Sequence, residues 1–392
     1  MGDAVIVSTA RTAIGTSFKG SLVDVDGFEL AKQAVGEVVR RSGVDPLDID
    51  DVILGETLYG GGDIARFAAI EAGIENAPGL AQNRHCASGL SAIVTGAGSI
   101  KAGMDRAIIA GGTNAMSTMP QNTRRKPGTD EVVPWASPSH PETPTAPAFD
   151  MSITVGWNAA QEADVTREDM DAWALRSHQR AVAAIEAGAF KEEIFPLEVT
   201  RRDGTTFTFE VDEHPRAGTS MEKLAALKPI HPEIEGFSIT AGNASGVNDA
   251  AAAVLIADRA YAEAHGLAPL AEITGWASVG VKPELTGLAP TKAIPKALER
   301  VGLTVADVDL WEINEAFASM CVGTTRILGI DEEKVNVLGS GCSLGHPIAA
   351  TGGRMVISLI HELARRGGGT GVAAMCAGGG MATAVVIEVP KV

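Results

Sequence analysis

One nine-residue stretch late in the chain repeats another near its start. Asp307-Val308-Asp309-Leu310-Trp311-Glu312-Ile313-Asn314-Glu315 can be laid on Asp48-Ile49-Asp50-Asp51-Val52-Ile53-Leu54-Gly55-Glu56 without a gap. Cys86 then follows Gly55 by 31 residues, and His346 follows Asn314 by 32. Both open a helix after a Gly/Ser-rich approach. Such self-similarity indicates two halves built on one βα topology. At 392 residues the chain is too long for one ordinary core, so two or three domain-sized units are expected.

Residues 4–8 read as a buried strand, followed by the polar turn Arg11-Thr12-Ala13-Ile14-Gly15. Residues 28–41 have helical periodicity and stop at Ser42-Gly43; residues 64–72 are helical too. Residues 52–54 and 107–110 are apolar strands. Residues 88–102 form a buried helix closed by Gly103. The pattern returns with strands at 251–257 and 270–274 and a helix at 291–301. Alternation of helices with continuously apolar strands predicts an α/β fold, its sheet parallel and covered on both faces. Residues 120–149 are rich in Pro, Thr and Ser and carry Arg124-Arg125-Lys126. Thr166-Arg167-Glu168-Asp169 predicts a capping box, opening a helix to Gly188 with Met170, Trp173, Ala174, Ala181 and Ala184 inward. Asp203-Gly204 marks a hairpin. The predicted division is residues 1–116 plus about 241–268 as one half, 269–392 as the other, and 117–240 as an inserted loop domain with its own small core.

A net charge of −17 disfavours nucleic acid and anionic membrane surfaces as partners. Cys86, Cys321, Cys342 and Cys376 lie far apart with no CxxC spacing, so neither a metal site nor a disulfide framework is expected. Reduced cysteines, no leader-like start and no run of membrane-spanning length predict a cytoplasmic protein.

Four places carry chemistry. Cys86 precedes a helix, where unpaired N–H groups and the dipole favour a thiolate; a buried structural cysteine is the competing reading. Asn314-Glu315 follows a strand directly, at the edge where α/β sheets build sites, although such a pair also serves as a cap or turn. His346 stands in Gly345-His346-Pro347, with Pro347 suited to a first helical turn running on to Arg365-Arg366. Nearby N–H dipoles favour its neutral ring, and glycines around it imply close approach of another group. Cys376-Ala377-Gly378-Gly379-Gly380 follows the strand 372–375 and offers a thiol beside free N–H groups, suited to an oxyanion hole. A phosphate loop is the alternative for this turn, but no Lys-Ser/Thr pair follows.

Taken with Thr240-Ala241-Gly242-Asn243-Ala244-Ser245-Gly246-Val247-Asn248-Asp249, these motifs resemble the thiolase family, in order and across nearly the whole chain. The resemblance implies duplicated βαβαβαββ halves in a layered α-β-α-β-α core. It also implies a two-cysteine Claisen enzyme acting on coenzyme A thioesters, with coenzyme A and acyl-CoA as substrates and no permanently bound cofactor. Cys86 would be acylated and His346 would take its proton. Cys376 would move the proton at the carbon–carbon bond. Asn314 would hold a water that meets the enolate oxygen together with His346. The N–H groups of Cys86 and Gly378 would hold the tetrahedral oxyanion. Ser245 would face the pantetheine, Met151 and Phe317 would line the acyl end, and Ala241 joins this substrate-binding set. A homodimer or homotetramer is expected on the same ground.

Departures from the family pattern are Ala87, where Gly is common, and His85, where an apolar residue is usual. Asp150-Met151 stands in place of His-Met, Cys342 in place of a small or apolar residue, and Met381-Ala382 in place of a glycine-containing ending. Arg216, Lys223 and Lys228 are candidates for the coenzyme A phosphates. Competing readings are a ketoacyl-synthase-like condensing enzyme and a catalytically silent acyl-CoA-binding subunit.

Overall fold

The computed structural model describes residues 2–59 and 62–391. Nine strands carry the core: β1 (Ala4–Arg11), β2 (Asp51–Gly55), β3 (Gly79–Gln82), β4 (Ala107–Ala115), β5 (Asn248–Asp258), β6 (Ala271–Gly280), β7 (Leu310–Ile313), β8 (Gly369–Ala377) and β9 (Met381–Val389). They run in the order β7-β8-β9-β6-β1-β5-β4-β2-β3, and the pair Gly15–Thr16 adds to β5. Only two residue pairs, Val5 with Glu272 and Ile6 with Ala271, join β1 to β6, so the sheet divides there into two halves.

The expected parallel sheet is corrected to a mixed one. β2 runs parallel to β3 and β4, and β7 parallel to β8. The remaining pairs are antiparallel. A strand buried on both faces is apolar throughout whichever way its neighbours run, so composition does not report direction. Connectivity does: β8 and β9 are joined by three residues, far too few for a parallel crossover. The repeat is visible in the same terms. Each parallel strand of the two matched segments is led by a short 3₁₀ turn, Pro46–Asp48 before β2 and Val305–Asp307 before β7.

The helices α1 (Gly27–Ser42) and α2 (Ile64–Glu71) cover the outer face of the first half-sheet. The helices α5 (Pro290–Glu299) and α6 (Ala318–Leu328) cover that of the second. Two further helices, α3 (Ser88–Lys101) and α7 (Thr351–Arg365), lie between the half-sheets. Leu90, Ile93, Met355 and Ile360 share one cluster with Ile108 and Val254 from one half and Met375 and Val385 from the other. The order of layers is therefore α-β-α-β-α.

The insertion was expected to hold its own core, and it does not. Its helix α4 (Arg167–Glu186) has the predicted capping box on Thr166 and Asp169. Ala181, Ala184, Phe190 and Phe195 pack into the outer cluster of the first half. Met170, Trp173 and Ala174 pack into that of the second. Arg11, read as part of a polar turn, instead ends β1 in full burial. Its guanidinium meets Glu193 at 2.9 Å and Asp212 at 2.9 and 3.0 Å, tying the insertion to the sheet. Among the described residues no helix is long and apolar enough to cross a membrane.

The middle layer closes at glycines. A Cβ on Gly352 of α7 would lie 2.5 Å from the Leu90 side chain of α3, inside any tolerated contact. Gly89 and Gly112 are equally closed by the Ala349 carbonyl. These approaches bring the N-terminal ends of α3 and α7 together, and those ends carry the Cys86 and His346 segments. We predict that Gly352→Ala destabilises the protein by about 1–3 kcal/mol and lowers activity more than its stability loss explains. Chemical denaturation alongside rate measurements checks this; an unchanged transition would count against the packing account.

Candidate active site

Cys86 occupies a strained turn two residues before α3. His85 ahead of it has φ +44°, in the left-handed region, where a non-glycine residue needs support. The support is local. The Ser88 hydroxyl donates to the His85 carbonyl at 2.6 Å, and Ser88 Oγ accepts from the Arg84 N–H at 2.8 Å. The turn holds the sulfur at the mouth of the helix. Burial nevertheless outweighs the dipole: the Cys86 thiol is pushed up to about 11, with the N–H groups of Gly378 and of Cys86 itself pulling the other way. Sequence reasoning had the helix favouring a thiolate; in the folded protein the resting group is a thiol that needs a base.

Cys376 lies inside β8, one residue before the strand ends, where the strand had been expected to stop at 375. It is 2 % exposed, with its sulfur 3.8 Å from Met320 Sδ. Burial drives its pKa far above the thiol range, and the charge of a Cys86 thiolate would drive it further. The turn Gly378–Gly380 carries positive φ at Gly379 and Gly380. It is held by the Gly380 N–H donating to Thr286 Oγ1 at 2.9 Å and the Val281 N–H donating to the Gly380 carbonyl at 2.6 Å.

His346 is buried, but α7 begins at Thr351, not at Pro347. Pro347 instead accepts from Ala350 and Thr351 in a separate turn. A proline fits a turn as readily as a first helical position, which is why the sequence misplaced the boundary. The Thr351 hydroxyl donates to the Pro347 carbonyl at 3.1 Å, so at 2.7 Å it accepts from His346 Nδ1–H. Nε2 is left as the lone-pair nitrogen. Burial, and then the Arg354 guanidinium, lower the His346 pKa to about 3. The ring is a neutral acceptor. Asn314 Nδ2 lies 3.5 Å from both ring nitrogens, and Asn314 Oδ1 is buried without a partner among the described residues.

Sequence reasoning missed the groups that aim these side chains. Asn248 Oδ1 accepts from the His346 N–H at 3.0 Å, while its Nδ2 donates to the Gly15 carbonyl at 3.0 Å. A residue of the first half thus holds the backbone of His346 in the second. Glu315 receives Trp173 Nε1–H at 2.9 Å, Asn336 Nδ2–H at 2.8 Å, Ser177 O–H at 2.6 Å and the Cys342 N–H at 3.0 Å. It locks the segment after Asn314 to α4. Asn248 lay within a motif already singled out; nothing in the sequence pairs Glu315 with residues 138 and 142 positions away.

The substrate-binding candidates gather on adjoining segments. Ala244 bridges to Phe317, and the Ser245 N–H donates to the Ala316 carbonyl at 2.9 Å. Gly156, five residues past Met151, packs against the Phe317 ring, where a Cβ would lie 2.8 Å away. Ala241 is exposed in the preceding turn. Asp150 beside Met151 receives His231 Nε2 at 2.8 Å, and Glu233 receives Nδ1 at 2.7 Å, which raises the His231 pKa. Arg216, Lys223 and Lys228 are exposed and form no ion pair among the described residues. Cys321 is core, its thiol donating to the Ile313 and Asn314 carbonyls.

Residues 4–260 match the family described as "Thiolase, N-terminal domain", and residues 267–389 that described as "Thiolase, C-terminal domain". The chain is 42% identical to an acetyl-CoA acetyltransferase of Pseudomonas aeruginosa, over 99% of each chain. It is 41% identical to a 3-ketoacyl-CoA thiolase of Bacillus subtilis, over 99% of this chain and 100% of that one. The crystal structure of the Bacillus anthracis acetyl-CoA acetyltransferase superposes with a TM-score of 0.91 at 40% identity, covering 99% of both chains. That of human mitochondrial 3-ketoacyl-CoA thiolase gives 0.89 at 35% identity, with the same coverage.

His178 and His214, like His346, are buried, with pKa values lowered to about 4 chiefly by desolvation. The unfolded chain binds protons at these positions below about pH 6.5 while the native state does not. Stability is therefore expected to fall as pH drops from 6.5 towards 4, by about 2 kcal/mol per histidine at pH 5. Denaturant titrations at pH 7.5 and 5 measure it, and His178→Gln should flatten the slope; a stability independent of pH across that window contradicts the assignment.

Proposed function

This chain belongs to the thiolase family, and from that premise we propose that Cys86, His346, Cys376 and Asn314 carry out acyl transfer between acyl-CoA and coenzyme A. The observation that carries the proposal is a half-buried Cys86 of one half close enough to the buried Cys376 of the other to raise its pKa, with the Gly378 N–H hydrogen-bonded to the Cys86 sulfur.

In thiolysis, His346 Nε2 takes the Cys86 proton and the sulfur attacks the 3-keto carbon. The N–H groups of Cys86 and Gly378 receive the oxyanion. As the C2–C3 bond breaks, its electron pair moves onto the acetyl-CoA enolate, whose oxygen is met by His346 and by a water on Asn314. Cys376 gives its proton to C2. Its raised pKa suits a thiol that starts as the proton donor. Coenzyme A then attacks the acyl-Cys86, its thiol proton restoring Cys376 and the His346 proton restoring Cys86. Condensation of two acetyl-CoA molecules runs through the same groups in reverse. Ser245, Ala241, Met151 and Phe317 are assigned to the wall along pantetheine and acyl group, and Arg216, Lys223 and Lys228, exposed and without ion-pair partners among the described residues, are the candidate cations for phosphate. A homodimer or homotetramer and a cytoplasmic location complete the proposal, the latter supported by four unpaired cysteines.

We predict that Cys86→Ala abolishes both directions. Cys376→Ala should still take an acyl group onto Cys86 while losing carbon–carbon chemistry by about 10²- to 10⁴-fold. Intact mass after incubation with acyl-CoA, run beside a thiolysis assay over a series of chain lengths, reads both. A wild-type protein that acquires no acyl group from any acyl-CoA would overturn the proposal in favour of a silent binding subunit.

A further inference from the structure

The oxyanion turn is touched by a part of the chain that the mechanism above does not use. Ser139-His140, from the Pro-rich stretch of the insertion, lies directly against Gly378–Gly379. A Cβ on Gly378 would meet Ser139 Cβ at 3.3 Å and the His85 ring at 3.7 Å, and one on Gly379 would meet the Ser139 carbonyl at 2.6 Å. Ser139 and His85 thus both crowd the position a Gly378 side chain would take. Thr286 and Val281 hold only the far end of the turn, at Gly380.

Ser139 is itself fixed. His140 Nε2 lies 3.0 Å from the Ala146 carbonyl, which can only accept, so Nε2 donates there. Nδ1 then accepts from the Ser139 hydroxyl at 2.8 Å, with the Ala148 carbonyl a longer alternative at 3.3 Å. His140 is buried. His85 is held through its N–H, which donates to Asn83 Oδ1 at 2.9 Å. Burial and the facing His140 both lower the His85 pKa and keep that ring uncharged beside the turn.

We propose that Ser139, His140 and His85 clamp the Gly378 segment and hold its N–H on the reacting sulfur, which makes the insertion a source of positioning residues for the chemistry. The inference rests on Gly378 being an oxyanion donor. An N–H donor acts only if it is already aimed when charge develops, and a glycine turn has no stiffness of its own to aim it. The clamp supplies that stiffness from a segment distant in sequence.

The test compares full-length Ser139→Ala, His140→Ala and His140→Asn with wild type. Asn keeps an acceptor oxygen near the Nδ1 position for the Ser139 hydroxyl. Three quantities are measured: kcat and KM in thiolysis, the pH profile of Cys86 alkylation by iodoacetamide followed by peptide mass, and the thermal midpoint. The clamp predicts kcat about tenfold lower in both Ala variants with KM within about twofold, and recovery in His140→Asn. It also predicts that the alkylation profile moves to higher pH, because a Gly378 N–H no longer aimed at the sulfur stops favouring its thiolate. Unchanged kcat and alkylation in the Ala variants would overturn it. So would kcat and KM falling together with the thermal midpoint, with Asn no better than Ala. If wild type itself transfers no acyl group, the thiolase proposal fails on that result alone, and the alkylation profiles still decide whether the clamp exists.

Discussion

Removing the Cys86 thiol from water is the constraint to which the surrounding structure responds. A buried sulfur resists ionisation, and here burial prevails over the helix mouth and two N–H groups together. A thiol held in this way attacks only when a base is waiting and when the incoming negative charge has donors already in place. In the proposed mechanism His346 meets the first need, being buried and neutral with its proton fixed on Nδ1 by Thr351. The backbone N–H groups of Cys86 and Gly378 are proposed to meet the second. The same desolvation keeps Cys376 protonated, as the proposed proton donor requires.

The duplicated architecture is what makes this assembly possible. Each half contributes a helix to the shared middle layer, and the two approach closely at Gly89 and Gly352, with Gly112 of β4 against the same Ala349 carbonyl, where no side chain could fit. The turns that carry Cys86 and His346 lead into these two helices. Cross-links between halves keep the register: Asn248 on the first half binds the backbone of His346 on the second. Glu315 and Arg11 tie the insertion to both. The insertion therefore acts as a strap across the outer layers and not as a separate domain.

Much of this was legible in the sequence. Apolar runs with β-branched residues marked β2 and β4, and the Asp-led repeat marked β7. Thr166 and Asp169 announced α4 through a local capping rule. Direction within the sheet was not legible, because residues 107–110 and 251–257 look alike whether their neighbours run with or against them. β3 escaped notice since Gly79-Leu80-Ala81-Gln82 is a short, partly exposed edge with no periodic signal. Arg11 looked like a turn residue because its partners, Glu193 and Asp212, are some two hundred positions away. Of the four side chains proposed to react, His346 and Cys376 stood out by their glycine-rich settings, Cys86 by the helix it precedes and Asn314 by following a strand, while Asn248, Thr351 and Ser139, proposed to aim them, are ordinary polar residues whose role exists only in three dimensions.

The central claim is that Cys86 and Cys376 share one small reaction space, and a short bifunctional thiol reagent addresses it directly. Treatment with 1,3-dibromoacetone followed by peptide mass analysis should yield a single three-carbon bridge between the Cys86 and Cys376 peptides, formed in step with loss of thiolysis. Independent labelling of the two cysteines, or a bridge from Cys86 to Cys321 or Cys342, would contradict the account.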